Sequence, residues 1–164
     1  MKKVSITIIT TCLIFTLFCT KEKSGTSDIK GNDFTLKSLQ GEEYTLSKLK
    51  GRVVIVDFWA TWCPPCRREI PHLVALYEKH KDKGLLILGV SAEDKQTLAT
   101  FARENNINYP ILLGNNEVFQ RFGVHSIPHT LFIDKKGNVR KTQIGYADEL
   151  IPVFEALLDT LLNE

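Results

Sequence analysis

Cys63 and Cys66 stand three positions apart in Trp62-Cys63-Pro64-Pro65-Cys66, a spacing that brings two thiols within disulfide reach. Before the motif runs Val53-Val54-Ile55-Val56-Asp57-Phe58-Trp59, and after it an amphipathic segment. A strand leading into a helix would set Cys63 at the helix N-terminus. Unsatisfied backbone N–H groups and the positive end of the dipole favour a thiolate there. Such surroundings lower a cysteine pKa from about 8.5 to between about 3.5 and 7.5. Pro64 and Pro65 suit a first helical turn, where a missing N–H costs little. Cys63 is then the expected exposed nucleophile, and Cys66, one turn further in, the buried resolving thiol. Half of a zinc site is the competing reading. It needs a second C-x-x-C or a histidine pair at suitable spacing from the motif, and the sequence has neither.

The other two cysteines, Cys12 and Cys19, fall in an apolar N-terminal run, which leaves one pair for the folded part. A disulfide-stapled scaffold would spread several pairs along its length. Of 164 residues, 43% are apolar and 24% charged, the balance of a soluble globular domain. The net charge of +2 comes from Lys2 and Lys3; without them 19 basic residues face 19 acidic ones. A domain so balanced has no electrostatic footprint for nucleic acid.

Met1-Lys2-Lys3 followed by the uncharged stretch Val4 to Phe18 has the layout of an export signal. The stretch is shorter than the 20 or so residues a spanning helix needs. Cys19 sits where a lipoprotein's acylated cysteine would lie, although Phe18 is bulkier than the small residue expected before it. A lipoprotein signal and an uncleaved anchor both stay open. The expected division is 1–20 signal or anchor, 21–32 polar linker and 33–164 folded domain. The domain should work outside the cytoplasm as a monomer, touching the membrane only through its N-terminus.

Phe34-Thr35-Leu36 and Tyr44-Thr45-Leu46 alternate around Gln40-Gly41-Glu42 and read as a small hairpin. Ile70, Leu73, Val74 and Tyr77 give helical spacing to 65–81. Further strands are expected over 85–91, 129–134 and 139–144, with a turn at Lys135-Lys136-Gly137-Asn138. Helices are expected over 97–105 and 148–162, with a short turn near 118–122. This order implies an α/β fold, a central mixed β-sheet flanked by helices with an extra N-terminal β-hairpin.

Val56 to Cys66 resembles the active-site segment of thioredoxins, and its continuation Arg67-Arg68-Glu69-Ile70-Pro71 resembles the membrane-tethered TlpA/ResA branch. The resemblance implies the thioredoxin fold and a cis bond between Ile127 and Pro128 beside the cysteines. It also implies that Asp57 and Glu69 match buried acids of the family that move protons for the resolving thiol. A carboxyl in apolar surroundings has a raised pKa suited to that task. Trp62, Pro64, Ile127 and Pro128 are the expected substrate-binding residues, with Ile127 offering its backbone to an added strand. Trp59 is expected in the core, and Pro71 should kink the helix. His72 and His80 are expected on the surface.

The leading function is reduction of disulfides in exported proteins, by Cys63 attack and Cys66 resolution. The resemblance implies a membrane thiol carrier as electron donor, a place in cytochrome c maturation, and no cofactor. A copper-delivery module is the alternative, with His125 and His129 flanking Pro128 near two thiolates. Copper chaperones on this scaffold separate their cysteines by three residues, not two. A peroxidase fits less well, since Trp59-Ala60-Thr61-Trp62 misplaces the proline and threonine of a Pro-x-x-x-Thr-x-x-Cys segment.

Overall fold

The structure, a computed structural model, describes the short strand Ser27–Asp28 and residues 32–164. The expected signal 1–20, with Cys12 and Cys19, lies outside the described residues, as does most of the linker. The strands are β1 (Ser27–Asp28), β2 (Thr35–Lys37), β3 (Glu43–Thr45), β4 (Val53–Phe58), β5 (Leu85–Ser91), β6 (Ile111–Leu113), β7 (His129–Ile133) and β8 (Asn138–Ile144). The helices are α1 (Pro64–His80), α2 (Lys95–Glu104), α3 (Asn116–Arg121) and α4 (Ile151–Asn163).

Six strands form a mixed sheet in the order β1-β8-β7-β4-β5-β6, and β2 pairs with β3 as a separate hairpin. β4 sits inside it, parallel to β5 and antiparallel to β7. All six β4 residues are buried, which explains why five of them are apolar. Alternation then sorts them by face. Val54, Val56 and Phe58 pack with Phe34, Leu36 and Leu46 from the hairpin and with Val118 and Phe122 around α3. Val53 and Ile55 pack with Leu73 and Leu76 of α1 and with Phe154, Leu158 and Leu161 of α4. Each such buried side chain contributes roughly 1.5–3 kcal/mol. Asp57 has the parity of Val53 and Ile55, so the strand aims this acid at the α1 side.

Gly89 of β5 permits a close approach at this point. A Cβ there would lie 2.9 Å from Trp59 Nε1 and 3.3 Å from Tyr109 Cε2. Trp59, 1% exposed, fills that space and joins the cluster of Ile70, Leu98 and Phe101 around the cysteines.

Several expectations need correction. β6 was not expected; three residues are too few to show a period, and its pairing with β5 makes it a strand. α2 starts at Lys95 rather than Thr97, because Asp94 caps it by accepting from the Thr97 N–H at 3.0 Å. β7 stops at Ile133, since Asp134 Oδ1 instead accepts the N–H groups of Lys136 and Asn138 and closes the turn. His80 is buried, 1% exposed. It follows Leu73 and Leu76 along the same helical stripe, so the spacing that buries them buries it too. His72 is half-buried and stacks on Tyr146, with ring centroids 5.8 Å apart. Among the described residues no helix is long and apolar enough to cross a membrane.

Candidate active site

The cysteine motif begins where β4 ends, at the carboxyl edge of the sheet where open α/β folds place their ligands. Cys63 is the N-cap of α1, with extended backbone angles of φ −87° and ψ 109°. Pro64 and Pro65 occupy the first turn without N–H groups, so the helix's first backbone donor belongs to Cys66. That N–H points at Cys63 Sγ from 3.3 Å. One donor and the helix dipole thus face one sulfur, the arrangement that stabilises a thiolate once the pair is reduced. Cys63 and Cys66 form a disulfide with a Cα separation of 5.3 Å.

Cys63 is only 3% exposed and Cys66 1%, so the expected exposed nucleophile is covered in this oxidised form. The Cys63 sulfur lies 3.7 Å from the carbonyl oxygen of Ile127. The Ile127–Pro128 bond is cis. Trp62 stands out at 69% exposure beside a groove of about 220 Å³ lined by Trp59, Trp62, Ser91, Glu93, Phe119 and Ile127. Pro64 is exposed at the helix tip, and Pro128 is buried.

On β4 and α1, Asp57 and Glu69 are both buried, 1% and 0% exposed. Thr130 on β7 pairs in register with Asp57, and its hydroxyl lies between the two acids. Oγ1 is 3.0 Å from Glu69 Oε1 and 3.4 Å from Asp57 Oδ1. The other carboxyl oxygens, Asp57 Oδ2 and Glu69 Oε2, are buried without hydrogen-bond partners among the described residues. Burial pushes the Glu69 pKa well up, the Asp57 charge adds to the rise, and the Thr130 hydroxyl opposes it. Burial also raises Asp57, again against Thr130. Glu69 lies one turn after Cys66 on α1, so the two share a helix face.

Two site residues escaped the sequence reading. Thr130 looks like any strand threonine, and only the β4–β7 register places it against Asp57. Glu93 follows β5 and accepts hydrogen bonds from the Thr61 N–H at 2.7 Å and the Thr61 hydroxyl at 2.6 Å. The one available signal was its place just after a buried strand, at the same sheet edge as the motif. His129 is buried with its ring edge-on to Phe58, 6.1 Å between centroids, while His125 is exposed. Among the described residues no three His, Cys, Asp or Glu side chains gather in a way that could hold a metal ion.

The chain is similar to known proteins over most of its length. It is 35% identical over 134 residues to the thiol-disulfide oxidoreductase ResA of Geobacillus kaustophilus, covering 80% of this chain and 77% of that one. It is 39% identical over 118 residues to the thioredoxin-like protein YneN of Bacillus subtilis, covering 69% of this chain and 68% of that one. The crystal structure of a thiol:disulfide interchange protein of the thioredoxin family from Chlorobium tepidum superposes with a TM-score of 0.74 at 26% identity. That match covers 84% of this chain and 97% of the other. The thioredoxin fold inferred from the motif is therefore the fold observed. The profile of the AhpC/TSA family matches residues 29–142, and the chain belongs to that family.

Proposed function

We propose that this protein is a thiol–disulfide oxidoreductase that reduces disulfides in exported proteins. The observation that carries the reading is the cysteine pair at the α1 N-terminus, where the Cys66 N–H is aimed at Cys63 Sγ. In the reduced protein the Cys63 thiolate attacks one sulfur of a substrate disulfide. A mixed disulfide forms and the first substrate thiolate leaves. Cys66 then loses its proton, attacks Cys63 Sγ and releases the second substrate thiolate. Two electrons have passed to the substrate, and the Cys63–Cys66 disulfide remains.

Glu69 takes the Cys66 proton, supported by Asp57. Trp62 and Pro64 form the apolar rim that meets the substrate, while Ile127, held by Pro128, offers its backbone to an extended segment. Relatives named thiol-disulfide oxidoreductase and thiol:disulfide interchange protein support the chemistry. These two relatives are not named as peroxidases, and the residues before Cys63 lack the peroxidase pattern.

Residues 1–20 act in this reading as an export signal or anchor, with Cys19 as the acylation point if the chain is a lipoprotein. Residues 21–32 tether the domain, and it faces the extracytoplasmic side as a monomer. A membrane thiol carrier resupplies electrons, and apocytochrome c is a candidate substrate. The reduction potential of the pair tests the direction. A value near −270 mV, thioredoxin's, agrees with a reductant, whereas one near −120 mV, that of DsbA, makes the protein a disulfide donor instead.

A further inference from the structure

Three groups from β4, α1 and β7 meet in the interior, and their hydrogen count does not balance if the two acids are equivalent. The Thr130 hydroxyl has one proton and sits within reach of both Glu69 Oε1, at 3.0 Å, and Asp57 Oδ1, at 3.4 Å. It can donate to one carboxyl at a time and must accept from the other. The acceptor role needs a protonated carboxyl, because an ionised one has no hydrogen to give. Two buried carboxylates sharing a single donor would also leave two charges without compensation, an unfavourable state in a buried site. The arrangement that satisfies all three is a chain, one carboxylic acid donating to Thr130 and Thr130 donating to one carboxylate.

We propose that the Thr130 hydroxyl is a positioning residue that links Asp57 and Glu69 into one proton-sharing unit serving Cys66. This rests on the oxidoreductase reading above. In the starting state Glu69 Oε1–H donates to Thr130 Oγ1, and Thr130 donates to the Asp57 carboxylate. Glu69, one turn from Cys66, accepts the thiol proton on its other oxygen while its own proton passes to Thr130 and that of Thr130 to Asp57. The S–H bond breaks, an O–H bond forms on Glu69 and one on Asp57, the old Glu69 O–H bond breaks, and the negative charge moves from Asp57 to sulfur. The chain can also shift by itself. When Glu69 passes its proton to Thr130 and Thr130 passes its own to Asp57, the ionised site moves to Glu69 with no net change in protons.

Other titratable groups face the pair. Tyr109, buried with its hydroxyl unpartnered among the described residues, and Tyr146 both have their pKa raised, by burial first, with Glu69 contributing to each and Asp57 also to Tyr109. Both phenols titrate above the range at issue. Cys66 shares the Glu69 helix face.

The test uses the full chain with 13C-labelled Asp and Glu carboxyls, followed by NMR from acid to alkaline pH in the oxidised protein. Thr130→Val removes the hydroxyl at nearly constant shape, and Thr130→Ser keeps it. The proposal expects the midpoints of the pair in Thr130→Val to rise by about 1–2 pH units, the loss of one hydrogen bond to a charged group. Thr130→Ser should restore them. The reduced proteins should show the same order in exchange rate, about tenfold slower at neutral pH for Thr130→Val, with recovery as pH rises. Unmoved midpoints in Thr130→Val, or a Thr130→Ser variant as shifted as Thr130→Val, would overturn the link. Shifted midpoints with an unchanged pH–rate profile would overturn its service to Cys66. If Thr130→Val does not fold, Thr130→Ala is judged by the same midpoints. Should the unmodified chain show no exchange activity, the oxidoreductase reading fails, while the carboxyl titration still decides whether the link exists.

Discussion

Thr61 gives both of its hydrogen-bond donors to Glu93, the backbone N–H to Oε2 at 2.7 Å and the hydroxyl to Oε1 at 2.6 Å. Ser91 adds a third contact to Oε2 at 3.2 Å. One carboxylate from the end of β5 therefore fixes the turn from which Trp62 and Cys63 emerge.

Glu93→Ala should cost about 1–3 kcal/mol, the value of hydrogen bonds to a charged group. In a domain of this size that lowers Tm by several degrees. Calorimetry checks it. Exchange should also slow, because the loosened turn no longer holds Cys63 at the N-cap. A Tm equal to that of the unmodified protein would mean that the clamp has no structural weight.

How the sequence bears on such contacts differs from residue to residue. Cys63, Cys66 and the buried strand before them were legible because their spacing and run of β-branched side chains leave few alternatives. Val53, Ile55 and Asp57 share one face through period-two alternation, so the burial of Asp57 follows from the strand alone. Thr130 and Glu93 were not legible. Each acts through a partner 73 or 32 positions away, and only strand register or a loop path brings such pairs together. β6 was hidden by its length, and His80 by the expectation that a histidine on the helix after the motif faces water.

The buried acids make stability depend on pH in an unusual direction. Their folded pKa values lie above the unfolded values of about 4. Their contribution is complete below that value and is lost as pH rises through the folded pKa values. Urea denaturation of the oxidised protein should therefore show stability falling from weakly acidic to alkaline pH. The fall is about 1.4 kcal/mol for each unit in which one acid is charged only in the unfolded chain. Glu69→Gln should flatten that decline and be the more stable protein at alkaline pH. Parallel curves for the two proteins would contradict it.

His80 acts on the acid side. Burial lowers its pKa, Lys79 and Lys83 lower it further, and Asp159 and Glu155 oppose them. Neither ring nitrogen has a hydrogen-bond partner among the described residues. The unfolded chain takes up the proton first, so stability present above about pH 6.5 is lost as pH falls toward the lower folded value. His80→Leu should remove this loss. Thermal denaturation at pH 5 and pH 7.5 gives the measurement, with a smaller Tm difference expected in the variant.

Trp62 is mostly exposed and contributes little to packing. Trp62→Ala should leave Tm and the reduction potential nearly unchanged. It should lower kcat/KM for a protein disulfide by about tenfold, the loss of one aromatic contact of 1–2 kcal/mol. A small, unstructured disulfide should be much less affected, since it does not reach the groove. Equal loss for both substrates would argue against a rim that receives protein.

Trapping of the mixed disulfide tests the assignment of the two sulfurs most directly. Cys66→Ser and Cys63→Ser variants are reduced and incubated with a protein disulfide. Each reaction is then quenched in acid and analysed by mass spectrometry under non-reducing conditions. Cys63 as the attacking thiol predicts a covalent adduct on Cys63 in the Cys66→Ser protein and little or none in the Cys63→Ser protein. An adduct on Cys66 in the Cys63→Ser protein, with none in Cys66→Ser, would reverse the roles and contradict the mechanism.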